Sequence, residues 1–168
     1  MLVVEDGTGL SNSNSYVTLE EANERIGLIY AGSDSSWTAL GINTRNGYLV
    51  RAAEIINIQN FQPYPPVSRD QAMPFPKASA IYTGTGISLG QIPVILKNAQ
   101  IELAYTYIDS PVFPTENRSI QRASIGDLSI EYSDRTINSV VEEPILPNRI
   151  LQLLRPLLAG SSALTLSY

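Results

Sequence analysis

Residues 92–108, IPVILKNAQIELAYTYI, are the stretch around which the chain is organised. Pro93 suits the first helical position, where its missing N–H would have had no partner. At about 100° per residue, Ile92, Leu96, Ala99, Leu103 and Tyr107 share one face of a helix. Val94, Ile101, Tyr105 and Ile108 fall almost opposite. Lys97, Asn98, Gln100 and Glu102 fill the two narrow seams between them. A surface helix needs one apolar stripe, so a helix with two is covered on two sides. It is therefore either the central helix of a domain or a helix whose second face meets another subunit. None of its residues is poised for chemistry, which turns the reading towards a structural or assembly protein.

Working outward, 168 residues with 43% apolar side chains are enough for one domain with a real core plus extensions. The expected division is a single domain over 1–168, with a core at 16–158, an arm at 1–15 and a tail at 160–168. Cysteine is absent, so no disulfide framework or thiolate metal site can form. Histidine is absent too, removing the commonest general base and the usual zinc ligand. The formal charge of −5 argues against a surface built to hold nucleic acid. No apolar run approaches ~20 residues and no basic stretch precedes a hydrophobic one. The expectation is a chain with no membrane span and no secretory signal of its own.

On the amino-terminal side, residues 2–4 read as an extended arm or edge strand, and 5–15 (EDGTGLSNSNS) as turn-rich. Thr18 opens a capping box with Glu21, and Leu19, Ala22, Ile26 and Ile29 give a first helix ending near Gly32. Trp37 and Leu40 are expected to plug into the core. A second helix is predicted over 44–60, with Leu49, Ala52, Ala53 and Ile56 as its stripe. Residues 62–91 carry Pro63, Pro65, Pro66, Pro74 and Pro76 and read as a long irregular loop. Loops of that length are usually functional or ordered by a partner.

On the carboxyl-terminal side, residues 120–125 and 128–132 alternate apolar and polar across Gly126-Asp127, a hairpin signal. Residues 147–158 (PNRILQLLRPLL) read as a short helix kinked or broken at Pro156. Residues 161–168 alternate without an evident partner in the chain. The fold class expected is thus mainly α: a small helical bundle around the helix at 92–108, with a long proline-rich loop, an inserted β-hairpin at 120–132 and an extended tail.

Gly86-Ile87-Ser88-Leu89-Gly90 matches the nucleophile elbow letter for letter. That elbow needs a histidine to take the serine proton, and there is none. Gly84-Thr85-Gly86 and Gly7-Thr8-Gly9 lack the third glycine or the Walker lysine of a phosphate loop and read as turns. Glu20-Glu21 and Glu142-Glu143 read as solvated charge, the first pair in the opening turn of a helix where the macrodipole favours acids. The nine tyrosines could offer stacking platforms to single-stranded nucleic acid. The eleven basic residues, however, are scattered singly.

Four stretches together resemble the head–tail adaptor (connector) subunits of tailed bacteriophages. They are VEDGTGLSNSNSYVTLEEA near the amino terminus, LVRAAEIIN on the second helix, RDQAMPFPK followed by IPVILKNAQIELA, and the hairpin RASIGDLSIEYSD. The first looks like the opening of the branch named DnaT-like single-stranded-DNA-binding protein. The chain departs from the pattern at Phe75, where the family usually shows Trp, and at Lys77, where it usually shows Arg. The resemblance implies a virion protein without enzymatic activity, cofactor or metal, assembled in the host cytoplasm and located in the neck. Copies would form a ring, typically a dodecamer, below the portal protein. The ring would extend the DNA channel without binding DNA specifically and offer a docking platform to a downstream neck or tail protein. Neighbour contacts are expected at Tyr105 and Ile108, or at the hairpin residues Ile125 and Leu128, and contacts with the portal or a neighbouring subunit from Ala163, Leu164, Leu166 and Tyr168 of the tail. The alternative is a DnaT-like replication accessory that binds single-stranded DNA.

Overall fold

The computed structural model describes residues 1–31, 34–78, 82–84, 86–109, 123–125, 128–130 and 146–159. Among them the chain is mainly helical, with five α-helices. They are α1 (Leu19–Ile29), α2 (Ser35–Thr38), α3 (Ile42–Asn57), α4 (Val94–Asp109) and α5 (Asn148–Leu154), the last running into a 3-10 turn at Arg155–Leu157. The chain divides into two compact units, one of Met1–Pro111 with Leu146–Tyr168 and one of Val112–Ile145.

In the first unit α4 touches α1, α2, α3 and α5. Residues 99–105 are buried without a break, polar Gln100 and Glu102 included. Of the two ways to cover a two-faced helix, the chain uses the first: its own helices enclose α4. Val94 is the exception on the second stripe and stays 68% exposed. Pro93 stands just before the first helical residue, and its carbonyl accepts from the Leu96 and Lys97 N–H groups.

The remaining helices follow from local signals. Thr18 caps α1 through the predicted box, its hydroxyl accepting from the Glu21 N–H while the Glu21 carboxylate accepts from the Thr18 N–H. Trp37, on the single turn of α2, is fully buried and donates from Nε1 to Asn23 Oδ1 at 2.8 Å, whereas Leu40 is half-buried. Helix α3 starts at Ile42, two residues before the expected point, because its cap is Gly41, which has no side chain to advertise it. It stops at Asn57, before the expected Asn60, and the Gln59 side chain donates back to the Ile55 carbonyl. Pro156 converts the end of α5 into the 3-10 turn, since it has no N–H for an α-helical bond.

Between α3 and α4 the described residues form no helix. Gln62 N–H donates to the Leu157 carbonyl, Ala78 N–H to Pro65 and Lys77 N–H to Leu89, so the proline-rich segment is tied to α5's end and to itself. The Phe75-Pro76 bond is cis. Phe75 packs edge-on against both Tyr16 and Phe61.

In the second unit two strands are described in backbone, β1 (Ala123–Ile125) and β2 (Leu128–Ile130). They pair antiparallel with Ser124 opposite Ser129. The turn and flanks of the hairpin expected over 120–132, and the tail expected over 160–168, lie outside the described residues.

Candidate functional site

The polar side chains of the motif-bearing stretches converge inside the helical unit, and the first centre is Gln100. Its side-chain oxygen accepts from the Tyr16 N–H at 2.9 Å. Its amide nitrogen donates to Ser15 Oγ at 2.8 Å and to the Leu49 carbonyl at 2.9 Å. One buried amide thus joins the amino-terminal stretch, α3 and α4. Tyr16 OH donates to Asn57 Oδ1 at 2.7 Å, adding a second tie to α3. Burial pushes the Tyr16 hydroxyl far above the usual phenol range, so it stays a donor.

The second centre is Glu5, only 3% exposed. One carboxylate oxygen accepts from Gly7 and Gly9 N–H at 3.1 and 2.9 Å. The other accepts from Leu10 N–H and Ser13 Oγ, both at 2.9 Å. Gly7 and Gly9 sit at φ +97° and +79°, a left-handed backbone that turns their N–H groups inward. The Gly-Thr-Gly segment is therefore an anion cradle filled by the chain's own carboxylate. Gly9 also lies against the proline-rich segment, where an added Cβ would come within 2.9 Å of Ser68 Cβ. Nearby, Ala72 N–H donates to the Leu10 carbonyl at 2.9 Å.

The third centre is Glu102, 1% exposed, which accepts from Arg25 of α1 at 2.8 Å and from Arg149 of α5 at 2.6 Å. Beside it Tyr30 stacks on Tyr105, ring centroids 4.0 Å apart. Burial, and then the Glu102 charge, raise the Tyr30 hydroxyl above its ordinary value. Glu102 in turn holds the Arg149 guanidinium above its usual range. Lys77 lies 5.3 Å from the centre of the Phe75 ring, and burial lowers its ammonium below the ordinary lysine value. Tyr107 is pushed up by burial as well.

The candidates singled out from the sequence fare differently. Tyr105, expected near a neighbouring subunit, is buried and stacks on Tyr30 of its own chain, and Ile108 is half-buried. Ile125 and Leu128 are Cα partners in the backbone register of the strand pair. Ala163, Leu164, Leu166 and Tyr168 lie outside the described residues. Ser88 bridges to Tyr82 next to a turn closed by Gly86 N–H on the Thr83 carbonyl, and α4 does not begin until Val94. An elbow serine would stand directly at a helix start, so the sequence match has no matching geometry. Among the described residues no group of three or more acidic side chains could hold a metal ion, and no helix is long and apolar enough to cross a membrane.

Sequence reasoning passed over Gln100, Glu102 and Glu5, placing the first two in narrow polar seams between two apolar faces and the third in a turn-rich stretch. One signal was available: two polar residues between the covered faces of an apolar helix need partners if both sides are enclosed.

These features define a small α-helical protein whose diagnostic motifs serve to tie its own segments together. The chain belongs to the family described as "Putative DnaT-like ssDNA binding protein", whose model matches residues 1–167. No curated protein and no solved structure matches it.

Proposed function

We propose that this chain is a structural, non-enzymatic subunit of the phage neck, a head–tail adaptor that forms a ring below the portal. In this reading the ring extends the DNA channel and gives the downstream neck or tail protein its platform. The proline-rich loop, the hairpin at 120–132 and the tail at 160–168 are the parts completed by neighbours. Tyr105 and Ile108, or Ile125 and Leu128 of the hairpin, lie at or near subunit contacts, and Ala163, Leu164, Leu166 and Tyr168 reach the portal or a neighbouring subunit.

The observation that carries the reading is electrostatic. Arg25 and Arg149 are spent on Glu102, Lys97 on Glu21 at 2.7 Å, and Arg51 meets Glu54 at 3.2 Å. A protein that grips single-stranded DNA keeps its cations for phosphates along a groove. Here four of the eleven cations, Arg25, Arg51, Lys97 and Arg149, meet carboxylates of the same chain, on a molecule of net charge −5. That suits a channel wall past which DNA slides. The competing reading, a single-stranded-DNA-binding accessory, is favoured by the family description and by two exposed aromatic rings, Tyr64 at 38% and Tyr82 at 60%.

A labelled oligonucleotide titrated at rising salt separates the two. The adaptor reading expects no micromolar binding at 150 mM salt, and electron microscopy of virions should place a ring of this protein between head and tail. Micromolar binding with a steep negative salt slope, with no such ring, would establish the accessory instead.

A further inference from the structure

The chain has two lysines, Lys77 and Lys97, and the fold places their amines in opposite surroundings. Lys97 Nζ donates to Glu21 Oε1 at 2.7 Å, an ion pair between α4 and α1. Lys77 has no such partner. Among the described residues no carboxylate lies within ion-pair distance of its Nζ, and no acceptor receives a hydrogen bond from it. What faces the amine is the Phe75 ring, its centroid 5.3 Å away. A ring face attracts an ammonium but offers it no oxygen.

The backbone fixes Lys77 in that place. Its N–H donates to the Leu89 carbonyl at 2.8 Å, it bridges antiparallel to Pro66, and Phe75 is held between Tyr16 and Phe61. The residue is 8% exposed, and burial lowers its ammonium below the ordinary lysine value. The amine itself is not sealed. Among the described residues, the side-chain polar atoms both closed to solvent and without a partner are Arg25 Nε, Arg45 Nε and Asn46 Oδ1. Lys77 Nζ has no hydrogen-bond partner and is not one of these, so solvent reaches it. The stem is buried and the tip is open.

An accessible amine with no anion to keep it protonated is a nucleophile. We propose that Lys77 is a site of covalent acylation, and that the class of reagent that modifies it is a small acyl thioester. The donor is small because the opening is narrow. It is a thioester because the chain has no histidine or cysteine to assist, so the donor must react with a bare amine. The neutral amine attacks the thioester carbonyl, the N–C bond forms as the C–S bond breaks, and the departing thiolate takes the amine proton. The products are an amide and a thiol. The amide carries no charge, so it is spared the cost of burying an ammonium without an anion. Lys97 is not a second such site, since a donor would first have to break its pair with Glu21.

The test incubates the full chain at mildly alkaline pH with S,N-diacetylcysteamine, a small acetyl thioester, and follows both lysines by peptide mass mapping. In the folded chain Lys77 should be acetylated at least about fivefold faster than Lys97. In concentrated urea the two rates should agree within about twofold, because the fold and not the neighbouring sequence makes the difference. Glu21→Gln keeps an acceptor for the Thr18 N–H but removes the charge facing Lys97. It should speed Lys97 several-fold and leave Lys77 unchanged. Equal rates at the two lysines of the folded wild type, a faster Lys97, or a preference for Lys77 that persists in urea would overturn the proposal.

Discussion

Glu5 and Glu102 are both all but inaccessible carboxylates, at 3% and 1% exposure, yet they are satisfied in opposite ways. Glu5 is surrounded by neutral donors, three backbone N–H groups and one hydroxyl, all two to eight residues along the chain. Glu102 is met by two guanidiniums that arrive from 77 and 47 residues away. The first carboxylate replaces secondary structure, giving a loop with no ladder of its own a common acceptor. The second is a clamp, since α1 and α5 are both tied to α4 through it. A buried charge closed by local donors organises a segment, and one closed by distant cations organises a fold.

The sharpest way to break this contrast is to strip Glu102 of its partners. The double variant Arg25→Ala/Arg149→Ala leaves an uncompensated buried charge, and urea unfolding should show a loss of about 3–5 kcal/mol. A loss below ~1 kcal/mol would mean that water reaches Glu102 and that the clamp is not what holds α1 and α5.

Glu5→Ala should cost less, about 2 kcal/mol, because several N–H groups lose their acceptor but the loop can open to water. The contrast is sharpened by where the loss appears. Native-state hydrogen exchange should speed up at the amides of Gly9 and Leu10 while the interior amides of α4 keep their protection relative to global unfolding. Equal acceleration in α4 would show that the Glu5 loop is part of the global unit.

Glu21 is a third kind of carboxylate, its side chain 42% exposed and paired with Lys97. Burial works to raise its proton affinity. The Lys97 hydrogen bond, the Thr18 N–H and the Lys97 charge outweigh that and hold it below its ordinary 4.5. Its contribution is therefore present above about pH 4.5 and is lost as pH falls through the lowered folded value. For a pair this exposed the amount is a few tenths of a kcal/mol. Thermal melts of the wild type and Lys97→Met at pH 7 and pH 3 should therefore differ measurably only at pH 7. A gap of the same size at both values would assign the effect to packing of the lysine stem.

The legibility of the chain follows the range of its interactions. Thr18 with Glu21, Pro156 in the last helix and the double stripe of residues 92–108 are short-range patterns, and the structure carries all three. Trp37 was readable as a core residue from its size alone. The start of α3 was not, because a glycine cap leaves no side-chain signature. The clamp on α4 was invisible for another reason: Arg25 and Arg149 reach Glu102 from 77 and 47 residues away in sequence.

By itself the sequence determined that the helix at 92–108 would be covered on two sides, that the amino-terminal stretch would turn on glycines, and that neither histidine nor thiol chemistry was available. Only the tertiary structure decided that Gln100 and Glu102 would be the fastenings of the fold and not merely polar seams between two apolar faces. The physical reason is that a polar residue is stable inside only if distant donors and acceptors meet it there. Residue type and periodicity record what a side chain needs, whereas the path of the chain decides which residues meet that need.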